Sequence, residues 1–202
     1  SRRSANETIV GIYFLHLPAC RQIWLYYKYF SIDRDGLIDN LVGRELRKAD
    51  ELTADDEHQA TELAAVTLEA LLRAAVLVSP SGKQNSFAAH QLPAAILIEV
   101  RPSRTPVSYA NAFVKPVSRG VDGLVATSLE EFSKHVQALT TGFSLKSDHR
   151  WLLAPEFPEY AIDGVTKSAS LDQLCKLLAE TVKGESSNGK PVLLLRLEGP
   201  LQ

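Results

Sequence analysis

Lys83, Gln84 and Asn85 stand together in the run Val78-Ser79-Pro80-Ser81-Gly82-Lys83-Gln84-Asn85-Ser86-Phe87-Ala88-Ala89-His90. One cation and two amides on a loop of small residues can hold phosphates and 2′-hydroxyls without reading a base. Ser81 and Ser86 can donate to a phosphate or simply cap. Gly82 lets the backbone turn or come close to a ligand. The glycine and lysine do not form a Walker loop, because the G-x-x-x-x-G-K-S/T spacing is absent. The plain alternative is a polar turn between a helix and a strand. Lys28, Lys115, Arg101, Arg104 and Arg119 are second-rank cations, each equally readable as a solvated surface charge.

Other chemistry is harder to assemble. Asp33-Arg34-Asp35-Gly36 resembles the start of a calcium loop, but the third acidic ligand and the closing Glu are missing. A helix start, capped by Asp35 and carrying Leu37 and Leu41, accounts for it better. His16, His58, His90, His135 and His149 have no metal-ligand spacing, and His58 and His135 read as surface residues on helices. Cys20 beside Arg21 has the setting of a lowered-pKa thiol, yet no base stands near it in sequence. No nucleophile–base pair emerges, and neither a cofactor nor a metal is implied. The expectation is a protein that is not an enzyme.

Composition narrows the class. A chain of 202 residues with 45% apolar content is long enough for one cored domain, with room for an appendage. The net charge is −2, so any face for nucleic acid must be local and offset by acids elsewhere. Acids do cluster, at Asp50-Glu51 and Asp55-Asp56-Glu57. Cys20 and Cys175 are far apart, which reads as reduced thiols of a cytoplasmic protein. No apolar run is long enough for a membrane span, and no signal peptide is visible.

The loop must be held by the elements around it. An apolar helical run over 56–78 precedes it, with a capping box in Thr53 and Asp56 and an expected buried stripe of Leu63, Val66, Ala70 and Ala74. Pro80 ends that helix. A nearly all-apolar strand over 92–100 follows, buried on both faces or central in a sheet, and 101–104 turns the chain at the surface. Residues 8–17 and 23–32 also read as strands. Tyr27 and Tyr29 alternate with Lys28 and Phe30, so the tyrosines either stack bases or form a face covered by helices. Residues 107–117 read as a further extended segment. Ser128 with Glu131 and Ser170 with Gln173 are two more capping boxes. Their helices carry Leu129, Phe132, Val136 and Leu139, and Leu171, Leu174, Leu178 and Val182. Residues 184–189 read as a flexible linker.

SPSGKQNSFAAH, followed by an apolar strand and then SYANAFVKPV, resembles the CasC family, the backbone subunit of the type I-E CRISPR surveillance complex Cascade. YYKYFSIDRDGLIDNL fits the same order, and the resemblance covers residues 26–153. Val114 departs from it, since the family usually has a glutamate there. The resemblance implies an α+β, ferredoxin-like domain of the RNA-recognition-motif type, with an antiparallel sheet and helices packed on one face. It also implies that the family's N-terminal half, with the sheet's own first strand, is missing. Residues 26–183 are then the C-terminal half of a palm domain, and 1–25 a leader of unclear origin. The tail LLLRLEGPLQ is similar to the opening strand of CasD, the neighbouring subunit, making 184–202 a linker plus one borrowed strand. On its tether, 191–197 is expected to fill the vacant sheet edge.

The partners so implied are a CRISPR guide RNA, target DNA through that guide, other Cascade subunits and further copies of the chain. Lys83, Gln84 and Asn85 would clamp the ribose-phosphate chain, with Ser81, Lys28, Lys115 and Arg119 in support. The rival expectation is a protein-interaction module that no longer binds RNA. Acids from 50–57 folding over Lys83 would favour it.

Overall fold

The structure is a computed structural model that describes residues 8–16, 26–43, 52–78, 92–102, 107–114, 123–184 and 196–198. Its centre is a hairpin. Ile9–His16 (β1) pairs antiparallel with Tyr26–Asp33 (β2), both rich in the β-branched and aromatic residues that suit a pleated surface. Ala95–Arg101 (β3) lies antiparallel on the other side of β1. β2 and β3 therefore run in the same direction with β1 between them. Two helices make the crossover that parallel strands require: Arg34–Val42 (α1) and Ala54–Leu77 (α2). This is a split β-α-β arrangement within an α+β fold.

The sheet then extends outward. After the helix Leu124–Gly142 (α3), His149–Leu153 (β4) pairs antiparallel with β3, and Thr166–Lys167 (β5) adds parallel to β4. The helix Leu171–Lys183 (α4) follows, and Arg196–Glu198 (β6) pairs antiparallel with β2. The strand order is β5-β4-β3-β1-β2-β6.

Two cores sandwich the sheet. On one face Val10, Ile12, Phe14, Ile96, Ile98 and Val100 meet α1, α2 and α4 through residues such as Ile38, Leu68, Leu72, Leu174 and Leu178. On the other face Tyr13, Leu15, Tyr27 and Leu97 meet Leu129, Phe132 and Val136 of α3. Helices on one face therefore describes α1, α2 and α4, while α3 covers the opposite face. Each fully buried leucine contributes on the order of 2 kcal/mol.

Several expectations change. Residues 9–16, assigned to a leader, form the strand at the centre of the sheet, between β2 and β3. The sheet thus has an inner strand of its own, and the tail adds beyond β2 through residues 196–198 instead of replacing it. α2 has its capping box, with Thr53 Oγ1 accepting from Asp56 N at 3.1 Å and Thr53 N donating to Asp56 Oδ2 at 3.0 Å. Its buried stripe, however, is Ala60, Ala64, Leu68, Leu72 and Val76. Leu63 and Val66, expected inside, are 51% and 61% exposed. The alanines let the helix approach the sheet closely, so this stripe wins over its bulkier rival.

α1 is capped by Asp33, whose Oδ1 accepts from Gly36 N at 3.0 Å, not by Asp35. Asp35 instead accepts from Thr8 N at 2.9 Å and ties β1 to the helix. Gly43 closes α1 at φ 73°, a left-handed turn that glycine adopts without strain. α3 is opened by Gly123, five residues before Ser128, which was expected to cap it. Ser128 is buried inside it, donating to Leu124 O at 2.7 Å. Where an extended segment was expected after 107, Ala110–Phe113 forms a short 3-10 helix. At α4 the cap forms without the full box: Ser170 Oγ accepts from Gln173 N at 3.1 Å, but Gln173 Oε1 accepts from Ala169 N, one residue before the cap, at 2.6 Å.

Candidate nucleic-acid interface

Strand directions decide what meets at each end of the sheet. β1 ends, and β2, β3 and their crossover begin or return, at the same end: Ala94 N donates to Leu15 O at 2.6 Å. α2 runs back to that end from the opposite one, and at 1.5 Å per residue its 24 residues span about 36 Å. The segment 79–91 thus leaves from the far end of α2 and returns at the start of β3. Phe113 packs on Tyr27, near the start of β2, with ring centroids 5.9 Å apart, so the segment 115–122 also leaves from this end. The segment 17–25 joins β1 to β2 there as well. Asp55, Asp56 and Glu57 sit in the first turn of α2, at the opposite end.

Of the predicted site residues, Lys28 is the one described. It lies on β2 opposite Phe14, near the end just defined. It is half-buried, and burial lowers its pKa, so its ammonium is less hydrated than a surface lysine's. Ser81, Lys83, Gln84, Asn85, Lys115 and Arg119 lie outside the described residues, as does Cys20. What the structure fixes are the points where their segments attach.

The tyrosines do not serve as a stacking platform. Tyr27 is 0% exposed and accepts from Tyr109 N at 3.3 Å. Tyr29 is partly buried and stacks on Tyr13 at 5.8 Å. α3 covers this face, which matches the second of the two readings of the aromatic alternation.

Beneath α3 lies a polar cluster that sequence reading missed. Alternation on β3 puts Leu97, Glu99 and Arg101 on this face. Glu99 and Arg101 are 0% and 1% exposed, so Arg101 does not turn the chain at the surface as expected. Arg101 Nη2 donates to Glu99 Oε2 and to the Tyr109 hydroxyl, both at 2.7 Å. The hydroxyls of Tyr13 and Tyr109 donate to Glu99 at 3.0 Å, and Arg150 Nε lies 2.8 Å from Glu99 Oε1. Burial works most strongly against the Arg101 cation, but Glu99, Tyr109 and Tyr13 together outweigh it and raise the pKa. Burial, then Glu99, pushes the Tyr13 hydroxyl well above its ordinary value. The signal for this cluster was present: two opposite charges, two residues apart, within an apolar strand. Glu99 accepts from Arg101, Tyr13 and Tyr109 and ties β1, β3 and residue 109 together under α3, while the Nε atoms of Arg101 and Arg150 are buried without a hydrogen-bond partner among the described residues.

Elsewhere, a groove of about 650 Å³ between α3 and residues 156–161 has an apolar floor at Leu129 and Phe157 and acids at Glu130, Glu156 and Glu159. That lining disfavours a polyanion. His135 is half-buried against the edge of Tyr109, not on the surface. Burial pushes the Cys175 thiol up to about 11, so it is a packed residue and not a nucleophile. No group of acids, histidines and cysteines among the described residues could hold a metal ion. No helix among them is long and apolar enough to cross a membrane.

β3, the helices α1, α2 and α3 and the segments 79–91 and 115–122 all fall within residues 24–177, which match the family described as CT1975-like protein. The chain belongs to this family. No curated protein matches the sequence. Among solved structures, this CT1975-like chain is similar to one titled "CRISPR RNA-guided surveillance complex, pre-nicking", with TM-score 0.59 and 18% identity over 87% of this chain and 47% of the other. A second, titled "CRISPR RNA-guided surveillance complex", has TM-score 0.56 and 21% identity over 85% of this chain and 65% of the other. The chain therefore spans less than two thirds of the solved chains it matches. The likeness is one of fold.

Proposed function

We propose that this CT1975-like chain is a non-catalytic guide-RNA-binding subunit of a CRISPR surveillance complex, of the type I-E backbone class. Family membership and the fold shared with chains of such complexes support the setting. One topological observation carries the RNA reading. The segments bearing Lys83, Gln84, Asn85 and Ser81, and Lys115 and Arg119, attach at the same sheet end as Lys28. The acids of 55–57 stand a helix length away, so they do not cover that end. In this reading the amides and cations clamp ribose and phosphate, and guide pairing with target DNA supplies specificity. Residues 26–183, together with the inner strand 9–16, act as the C-terminal half of a palm domain, and 184–202 as a linker with a CasD-like strand. Other Cascade subunits and further copies complete the filament, in the cytoplasm.

The test is binding of a labelled single-stranded RNA of arbitrary sequence across a salt series, with Lys83→Ala as control. Sequence-indifferent binding that falls with salt and weakens in the variant is the expected result. No binding at low salt would overturn the RNA role and leave the second reading, a protein-interaction module. The observation favouring that reading is the addition of β6 to β2, a strand docking on a sheet edge.

A further inference from the structure

The groove on the α3 face is held open by bonds within the chain. Its volume, about 650 Å³, lies in the range of ligand-sized sites. One wall is α3, which presents Ala126, Leu129, Glu130, Ser133 and Lys134 at helical spacing. The other is the segment 156–161, which follows β4. Phe157 N donates to Ala154 O at 3.1 Å and Tyr160 N to Phe157 O at 2.9 Å, so the segment turns on itself. The Tyr160 hydroxyl donates to Leu129 O at 2.8 Å, and Lys167 Nζ to Pro158 O at 2.7 Å. A site fixed in this way needs little ordering when it is filled.

Its floor and its rim differ in chemistry. The floor is apolar: Leu129 is buried, and Phe157 and Tyr160 are half-buried. The rim is acidic, with Glu130 on α3 and the exposed Glu156 and Glu159 on the facing segment. Lys134 is the cation of the lining, and its Nζ is already 2.7 Å from Glu131. Lys167 reaches the segment but donates to the Pro158 carbonyl. Glu156 and Glu159 have no ion-pair partner among the described residues.

We infer that this groove docks a short segment of a partner protein in which basic and apolar side chains alternate. In an extended chain successive side chains point to opposite sides. The apolar ones rest on Leu129 and Phe157, and the longer basic ones reach Glu156 and Glu159 at the rim. The acids repel nucleic acid and acidic peptides alike. The apolar floor disfavours a partner that is merely cationic, because such a chain buries no apolar surface there.

Size sets the strength. From Ala126 to Lys134 the helix rises about 12 Å, which admits about four residues of an extended chain. So short a contact is weak and readily reversed. This inference goes beyond guide-RNA binding and does not rest on it.

Fluorescence polarisation of a labelled Arg-Leu-Arg-Leu peptide, blocked at both ends to remove the terminal charges, tests it on the full chain. Binding is expected between about 10 μM and 1 mM and should fall with salt. Glu156→Gln combined with Glu159→Gln should weaken it at least about tenfold. Both acids are exposed, so the thermal midpoint of that variant should not move. Asp55→Asn combined with Glu57→Gln changes the net charge equally, in the first turn of α2, and should leave binding unchanged. Blocked Arg-Ser-Arg-Ser and Glu-Leu-Glu-Leu should each bind at least about tenfold more weakly than Arg-Leu-Arg-Leu. No binding at about 1 mM, equal loss in the two charge variants, or equal binding of Arg-Ser-Arg-Ser would each overturn the inference. So would a dimer of the chain alone, seen by sedimentation velocity and abolished by the Glu156→Gln, Glu159→Gln pair, since a second copy would then fill the groove. The RNA reading is judged separately, by Lys83→Ala.

Discussion

Arg101 and Glu99 sit two residues apart on β3, both sealed from solvent, with the guanidinium donating to the carboxylate at 2.7 Å. Taking either charge away strands the other in an apolar core. Glu99→Leu should lower the unfolding free energy by about 3–5 kcal/mol, because Arg101 and Arg150 both lose their carboxylate. Tyr13→Phe, which deletes one donor to the same carboxylate, should cost only about 1 kcal/mol. Urea unfolding of the two variants checks the ordering; equal losses would mean that the cluster is not what holds the α3 face.

The face that α2 buries can be tested with two leucines. Leu68 is 2% exposed and Leu63 is 51% exposed. Leu68→Ala should destabilise by about 2–5 kcal/mol through the cavity it leaves. Leu63→Ala should change stability by less than about 0.5 kcal/mol in dilute protein. A reversed order would restore the stripe first read from the sequence.

Acid should weaken the fold before the carboxylates titrate. Burial holds His135 and His149 below their ordinary 6.5. The unfolded chain then binds more protons than the folded one below that pH, so stability falls as pH drops through 6.5 and continues to fall until the folded pKa is passed. Asp35 and Asp148, raised by burial above 3.8, act in the opposite sense in a lower window. The urea midpoint should therefore drop from pH 7.5 to 5.5, and by less in a His135→Gln, His149→Gln double variant. A drop of the same size in that variant would assign the effect elsewhere.

Lys28 separates binding from folding. Its ammonium is partly desolvated by the strand face it lies on. Lys28→Met should leave stability unchanged or slightly higher. It should also weaken RNA binding and reduce the salt slope by about one unit. A variant that unfolds while its RNA affinity per folded molecule is unchanged would make Lys28 a packing residue only.

The fold class and most elements were legible because they rest on short-range rules. Thr53 and Asp56, and Ser170 and Gln173, are capping pairs recognisable by spacing alone; the first forms its full box and the second its serine cap. What sequence reading lost were choices between equivalent local patterns. α2 has two apolar stripes, and only the sheet decides which one turns inward. Ser128 carries a capping signature, yet Gly123 opens the helix earlier and leaves that serine buried. Residues 9–16 were legible as a strand, but their central place depends on pairing with β3, some 85 residues further on. The candidate site was legible as a run of residue types around Lys83. Its partners at the same sheet end follow only from strand directions, which no local motif encodes.

The length of α2 bears on how the net charge of −2 should be understood. At physiological ionic strength a charge is felt over about 8 Å. Asp55, Asp56 and Glu57 stand roughly four such lengths from where the segment carrying Lys83 departs. A polyanion arriving at that end does not sense them. The two ends of this protein are electrostatic strangers, and its sign as a whole describes neither.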